Sequence, residues 1–468
     1  MFIGRERELA SLNRLYNSDR FEFVVLYGRQ RVGKTALINH FIDGKPAIYF
    51  LGLESNAKQN LVNFSRSIIE YSSGYERDTP FLSFQAALEM GFRLSEKKRL
   101  ILAIDEYPYV AKASRSLAST LQLLIDRYKD RSKMMLILCG SSMSYMADHV
   151  LAYKAPLYGR STAQIRLLPF DFAEACRFFK NFSAEDKALA YGIAGGIPQY
   201  LLQINDRLSI RENIRNSFLN TASSLYEEPV NLLTQEVREP AICTAILTAI
   251  ATGSSRMSEI SGNVGEDTSV CSTCLKNLIT LGIVRKELPY GENASEKTIY
   301  FIDDHMFRFW YRFVPENASL ISRGAADLVY QRIEPHLSDY MGKVFEELCR
   351  QYLWTLLLSG KSPVNFTSLG RWWGNDPIKR QAEIDIMGEQ DKNTALFGEC
   401  KWTNEKVDLG VLETLTERSN LFTYPNKHFF LFSKTGFTKG CMEKARLLGN
   451  VTLVMYSEML SFSVNTIP

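Results

Sequence analysis

The residues best suited to do chemistry stand near the start of the chain. Gly28, Arg29, Gln30, Arg31, Val32, Gly33, Lys34 and Thr35 spell GRQRVGKT, which fits the spacing GxxxxGK[ST]. An apolar run precedes them, and Ala36 opens ALINHFI, which reads as a helix. Glycines let backbone N–H groups curl around phosphate oxygens, and a helix N-terminus adds free donors and a favourable dipole. The pattern therefore predicts ATP binding. Lys34 would reach the β- and γ-phosphates, and the Thr35 hydroxyl would sit on Mg²⁺. LILAIDEYPY supplies a partner. Asp105 leaves the carboxyl end of an apolar strand, where ligands bind in open α/β sheets, and would hold Mg²⁺ together with Thr35. Glu106 is placed to orient or deprotonate the attacking water. MMLILCGSS ends at Ser141, whose hydroxyl either meets the γ-phosphate or the water, or caps a helix. Arg160, in PLYGR, either stabilises charge on the transferring phosphoryl group, from its own subunit or a neighbour, or is a surface arginine.

A second group lies near the other end. RQAEIDIMG and ALFGECKW read as adjacent strands joined by a polar turn. Asp385 is in the first. Glu399 and Lys401 are two apart in the second and so share a face, while Cys400 points the other way. Two acids and a lysine on one face suit Mg²⁺ binding and water activation, with the lysine steadying developing negative charge. Glu346, from the helix GKVFEELCRQYL, would complete the metal shell. The bland alternative is a solvated strand face laced with salt bridges. Arg371, Lys379, Arg380 and Lys401 are candidates for a basic patch beside the acids. Trp372 and Trp373 either stack on bases or belong to a core.

Three regions must position these groups. From Met1 to about Gln203, short apolar strands (Phe23–Tyr27, Ala47–Leu51, Leu100–Ile104, Met134–Cys139) alternate with amphipathic helices, which predicts a mostly parallel sheet. From about Asn205 to Phe313 the chain turns helical. Arg256–Gly262 and Ser269–Leu281 read as a helix-turn-helix, and Ile283–Leu288 with Lys297–Ile302 as a two-stranded wing joined by PYGENASE. Thr268–Leu281 holds Lys276 and Asn277 but no arginine, which favours packing or nucleotide sensing over reading of bases. Arg285, Lys286 and Lys297 could still touch phosphates from the wing. The last region opens with a helix at about Asp339 and continues as strands.

The chain's 468 residues exceed one ordinary domain, and a hydrophobic content of 46% with 23% charged residues is globular. A net charge of +3 neither demands nor excludes nucleic acid. Cys271 and Cys274 form a CxxC without a second half at zinc-finger spacing, so a helical pair of thiols is the expectation over zinc. No signal peptide or membrane-spanning run is visible, so a cytoplasmic protein with no membrane partner is expected.

The run FIGRERELASL, then GRQRVGKT, AIDEY, CGSS, PLYGR and GGIPQYL, resembles the archaeal-type ATPase family of the AAA+/STAND class, over roughly Met1 to Arg238. That resemblance implies an α/β P-loop NTPase core with an AAA+-like parallel sheet over 1–170, a helical lid over 171–238 and a winged helix over 239–315. It implies that Phe2 to Leu12 flank the adenine. Gly195, Gly196 and Pro198 would join the lid to the nucleotide. Slow switching rather than fast motor action is usual in such families. The order of helix Glu, Asp and ExK, with GRWWG upstream, is similar to the domain often fused to these ATPases and to the PD-(D/E)xK nuclease superfamily. It implies a linker helix over 316–338 and a restriction-endonuclease-like α/β domain over 339–468. The superfamily name calls for a proline before the first acid, but Ile384 precedes Asp385. The expectation is an ATP-binding, ATP-hydrolysing regulator whose nucleotide state controls a Mg²⁺-dependent nuclease-like domain acting on nucleic acid, DNA ahead of RNA, with a nucleotide-dependent homo-oligomer allowed. The alternative is a non-cutting switch or scaffold with an inactive nuclease-like domain.

Overall fold

A computed structural model describes residues 2–73, 79–293 and 296–465. The chain divides into two compact units: Met1–Pro169 with Ile197–Gln199, and Phe170–Gly196 with Tyr200–Pro468.

The first unit is built on β1 (Glu22–Tyr27), β2 (Ala47–Leu51), β3 (Leu100–Asp105), β4 (Met134–Gly140) and β5 (Ala163–Arg166), in the sheet order β2-β3-β4-β1-β5. Every neighbouring pair is parallel. All residues of β3 and β4 are buried, as expected of strands covered by helices on both faces. Leu102, Leu136 and Val25 join Phe64, Phe92 and Leu121 in one core. Each such side chain is worth about 1.5–3 kcal/mol when fully buried. The four strands read from sequence lie within a residue of those observed. The fifth, AQIR, alternates half-buried and exposed positions at the sheet edge.

In the second unit, Pro240–Ala251, Met257–Val264 and Thr268–Thr280 are helices, followed by the antiparallel pair β6 (Val284–Glu287) and β7 (Ile299–Ile302). Gly282, at φ 70°, ends the third helix as its sequence position suggests. Ala294 and Ser295 of the expected wing turn lie outside the described residues. Cys271 and Cys274 are buried free thiols on one face of their helix, with Leu275 and Leu278. Lys276 and Asn277 are on the exposed side.

The 22-residue helix Leu337–Leu358 leads into a mixed sheet of β8 (Gly370–Asn375), β9 (Gln381–Asp391), β10 (Thr394–Lys401), β11 (Asn426–Ser433) and β12 (Val451–Met455). The order is β12-β11-β10-β9-β8. β8, β9 and β10 run antiparallel to their neighbours in that set, and β10, β11 and β12 are parallel. Ile384, Phe397, Leu415 and Leu431 anchor the core on one face. The polar segment GEQD continues β9 to Asp391, so the turn is Lys392–Asn393 and shorter than the sequence suggested.

Candidate functional site

β1 delivers the chain into the loop Gly28–Gly33, and the helix Lys34–Ile42 carries it away. Arg31 and Gly33 take positive φ values of 67° and 95°, which turn successive amides to one side. Gly28 has no room for a side chain: a Cβ there would stand 2.6 Å from the Leu167 carbonyl oxygen. Lys34 is buried, and its Nζ donates to the carbonyl oxygens of Gly28 (3.0 Å) and Arg29 (3.1 Å). The ammonium is thus folded over the loop, where a phosphate would compete for its donors. Arg29 and Val32 are buried, Gln30 is half-buried and Ala36 is exposed.

Asp105, fully buried at the end of β3, accepts two hydrogen bonds on Oδ2, from Thr35 Oγ1 (2.7 Å) and Tyr49 OH (3.0 Å). Burial first, and then the charge of Asp105, push the Tyr49 phenol far above its usual range, so it serves as a donor at any ordinary pH. The backbone turns sharply at Glu106, φ 49°, and its N–H donates to Asp105 Oδ1 at 2.9 Å. Glu106 Oε2 accepts from Ser141 Oγ at 2.7 Å. Thr35, Asp105, Glu106 and Ser141 therefore come together. Ser141 is not a helix cap: Ser142 occupies the position before the short helix Met143–Tyr145, and Ser141 holds Glu106 instead.

Arg160 is engaged elsewhere. Its Nε and Nη2 donate to Asp126 at 3.0 and 2.8 Å, and its Nη1 donates to the Pro156 carbonyl at 3.0 Å. None of these partners belongs to the phosphate loop or to the Thr35–Asp105–Glu106–Ser141 set. Pro198 Cγ lies 3.7 Å from where a Gly33 Cβ would be, so this proline flanks the loop. In the second unit, Gly195 takes a φ of 69°, and a Cβ on Gly196 would fall 1.9 Å from the Phe170 carbonyl oxygen. The positive φ accounts for Gly195 and the close approach for Gly196.

Two contributors escaped the sequence reading. Tyr49 is one; only its place near the end of a strand beside β3 signalled it. Arg5 is the other. Buried at a φ of 68°, it donates from Nη2 to the Val32 carbonyl at 2.9 Å and so ties the N-terminal segment to the phosphate loop. Phe2 stacks on His40 with centroids 4.2 Å apart.

In the second unit Asp385 Oδ2 accepts the Cys400 N–H at 2.9 Å. Burial, then the charges of Glu399 and Glu346, raise its pKa to about 7. Asp385 is therefore close enough to both acids to feel their charge. Each of the other two already has a cation: Lys401 Nζ is 2.7 Å from Glu399 and Lys343 Nζ is 2.8 Å from Glu346. Among the described residues no group of three or more His, Cys, Asp or Glu side chains is arranged to hold a metal. The expected basic patch is also dispersed. Arg371 pairs with Glu383, Arg380 with Asp376, and Lys401 with Glu399, because each finds a carboxylate in its own neighbourhood first. Trp372 packs edge-on against Phe422, centroids 5.1 Å apart, whereas Trp373 lies under Arg371.

Comparison with known proteins bears directly on this geometry. Residues 2–204 match the family described as "ATPase domain predominantly from Archaea". Residues 310–412 match that described as "Archaea bacterial proteins of unknown function". An uncharacterized protein of Methanocaldococcus jannaschii is 34% identical over 408 residues, covering 87% of this chain and 88% of its own. The chain belongs to the archaeal-type ATPase family. An uncharacterized ATP-binding protein of the same organism is 47% identical over 45 residues, 10% of this chain and 76% of that protein. A Walker-type ATPase of Pyrococcus abyssi shares the fold at a TM-score of 0.52 and 22% identity, covering 66% of this chain and 96% of that one. As an archaeal-type ATPase, the chain carries a P-loop domain that supports ATP binding and hydrolysis. Among the described residues no helix is long and apolar enough to cross a membrane.

Proposed function

We propose that this archaeal-type ATPase is a cytoplasmic regulator that hydrolyses ATP and uses its nucleotide state to control a nuclease-like C-terminal domain acting on nucleic acid, DNA ahead of RNA. The observation that carries the reading is the 2.7 Å hydrogen bond from Thr35 to Asp105 beneath a loop whose amides and Lys34 turn inward. Thr35 hydroxyl and Asp105 carboxylate are hard oxygen donors, which suits Mg²⁺. Both would hold it, and the ion would supply charge neutralisation at the phosphates. The Gly28–Gly33 amides and Lys34 bind and orient the β- and γ-phosphates. Glu106 takes the proton of the attacking water once it leaves Ser141. Phe2 to Leu12 flank the base. Gly195, Gly196 and Pro198 couple nucleotide state to the lid over 171–238. The winged helix over 239–315 and the linker over 316–338 pass that change to the domain over 339–468. Nucleotide-dependent self-association, with Arg160 exchanging Asp126 for a neighbour's phosphate, belongs to the same reading.

For the last domain, Asp385, Glu399 and Glu346 supply carboxylates that suit a divalent ion, and Lys401 a positive charge, provided Lys343 and Lys401 yield their partners. The pairing of Glu346 and Glu399 with lysines favours a second reading, a non-cutting switch whose last domain only binds. Incubation of the full chain with DNA and RNA, with Mg²⁺, with and without ATP, separates them. Cleavage lost in Asp385→Ala and Lys401→Ala supports cutting; cleavage surviving both removes those residues from the mechanism.

A further inference from the structure

The second unit contains a cleft of about 920 Å³ that the ATPase reading leaves unused. The wing strands β6 and β7, the helix Leu337–Leu358 and the edge formed by β8 and β9 wall it. Its lining holds eight Arg or Lys and five Asp or Glu side chains, a local excess of +3 equal to the net charge of the whole chain. Burial raises the carboxyls of two of those acids, Glu287 and Asp303, which weakens their opposition to the cations. His305, pushed down to about 3 by burial, adds no charge.

Two of the cations are under-used. The Nε–H groups of Arg285 and Arg308 are buried and have no hydrogen-bond partner among the described residues. Arg285 meets carboxylates only as ion pairs, its Nε 3.4 Å from Asp303 and its Nη2 3.9 Å from Glu347, while Arg308 lies 5.6 Å from the Tyr340 ring, interacts with its hydroxyl, and has no acid within 4.0 Å among those residues. A buried donor left in that condition is unfavourable, and an anionic ligand would relieve it. Flat groups stand beside them: Phe301 lies 4.7 Å from the Arg285 guanidinium, and Trp373 lies 5.3 Å from that of Arg371. Glu346, one of the three acids of the last domain, also lines the cleft.

We infer that this cleft binds a single-stranded segment of nucleic acid, with Arg285 and Arg308 on its phosphates and Trp373 against a base. Arginines beside aromatic rings form the combination that grips single strands without reading sequence. The volume is near the upper end of the roughly 300–1,000 Å³ of small-ligand pockets, room for more than one nucleotide unit. The choice of nucleic acid rests on the nuclease-like reading above, but binding itself needs neither metal nor cleavage.

The test is fluorescence anisotropy of the full chain with a labelled single-stranded 15-mer of DNA in EDTA, at several salt concentrations. Arg285→Gln combined with Arg308→Gln should weaken binding at least tenfold. It should also flatten the slope of log affinity against log salt by about 1.4, two contacts at about 0.7 each. Trp373→Ala should weaken binding by a further fewfold or more, and Lys444→Gln, on the exposed side of the helix Lys439–Leu448 and away from the cleft, should leave it unchanged. Circular dichroism melting establishes that the variants are folded. Absent binding, or binding indifferent to the two arginines in folded protein, overturns the inference. In a Lys34→Ala background, displacement of the 15-mer by AMP as readily as by unlabelled 15-mer overturns it in favour of a free nucleotide. Cleft-dependent binding without Mg²⁺-dependent cleavage sustains the inference while the nuclease reading falls; cleavage indifferent to Arg285 and Arg308 does the reverse.

Discussion

Replacement of Asp385 by Asn is a sharp test of whether three acids share one site. Burial and then the charges of Glu399 and Glu346 lift the Asp385 carboxyl from an ordinary 3.8 to about 7. Below 3.8 the folded and unfolded chains both carry the proton, and the fold bears no penalty. Between 3.8 and 7 the unfolded chain releases it while the folded chain keeps it, so stability falls as pH rises through that window. At about 1.4 kcal/mol per pH unit the fall reaches about 4 kcal/mol above pH 7, part of which solvent screens because the side chain is not wholly buried. Asn keeps an oxygen for the Cys400 N–H, now 2.9 Å from Asp385, without the charge. Thermal melting of parent and Asp385→Asn from pH 5 to 8.5 should show the variant gaining on the parent as pH rises, with the largest advantage near pH 8. Added Mg²⁺ should stabilise the parent at pH 8 and leave the variant unmoved, since an ion that binds only the folded site shifts its stability. A variant less stable than the parent at pH 8, or a pH dependence identical in both, would refute the argument that like charges crowd this position.

Glu106→Gln should lower ATP turnover by about 10²–10⁴-fold, the usual contribution of a general base, while ATP affinity stays within about twofold; phosphate release and titration calorimetry read the two separately. Gly28→Ala places a methyl 2.6 Å from the Leu167 carbonyl and should abolish ATP uptake while leaving the chain folded, as circular dichroism would report. Tyr49→Phe removes one of the two donors to Oδ2 of the buried Asp105 and should destabilise the first unit by about 1–3 kcal/mol, seen as a lowered melting transition.

Much of the first unit was legible because its signals are local. The strand ending at Tyr27, the glycine loop and the helix from Lys34 are contiguous, and the apolar run ending at Ile104 presents Asp105 and Glu106 together. The β5 strand was not legible: AQIR is four residues at a sheet edge and buries none of them fully, so no apolar run marks it. The return of Ile197–Gln199 to the first unit was legible only through the family resemblance, which set Pro198 at the nucleotide; no local pattern marks the packing that brings it beside Gly33. Tyr49 looked like any strand tyrosine until the register of β2 and β3 brought its hydroxyl to Asp105. At the far end, sequence spacing put Glu399 and Lys401 on one face but could not foresee that the lysine would turn onto its own neighbour at 2.7 Å. The arginines of the cleft come from β6, the helix His305–Phe313, β8 and other elements, so no window of sequence contained them.

Titration calorimetry of ATP with Mg²⁺ into the parent chain and into Lys34→Ala reaches the central claim most directly. The Lys34 ammonium should contribute charge-assisted hydrogen bonds to the phosphates of about 1.5–3 kcal/mol, so its loss should weaken ATP roughly 10- to 150-fold. Saturable heat in the parent with that loss in the variant is the expected result. No heat in the parent, or equal affinity in both chains, would contradict the account.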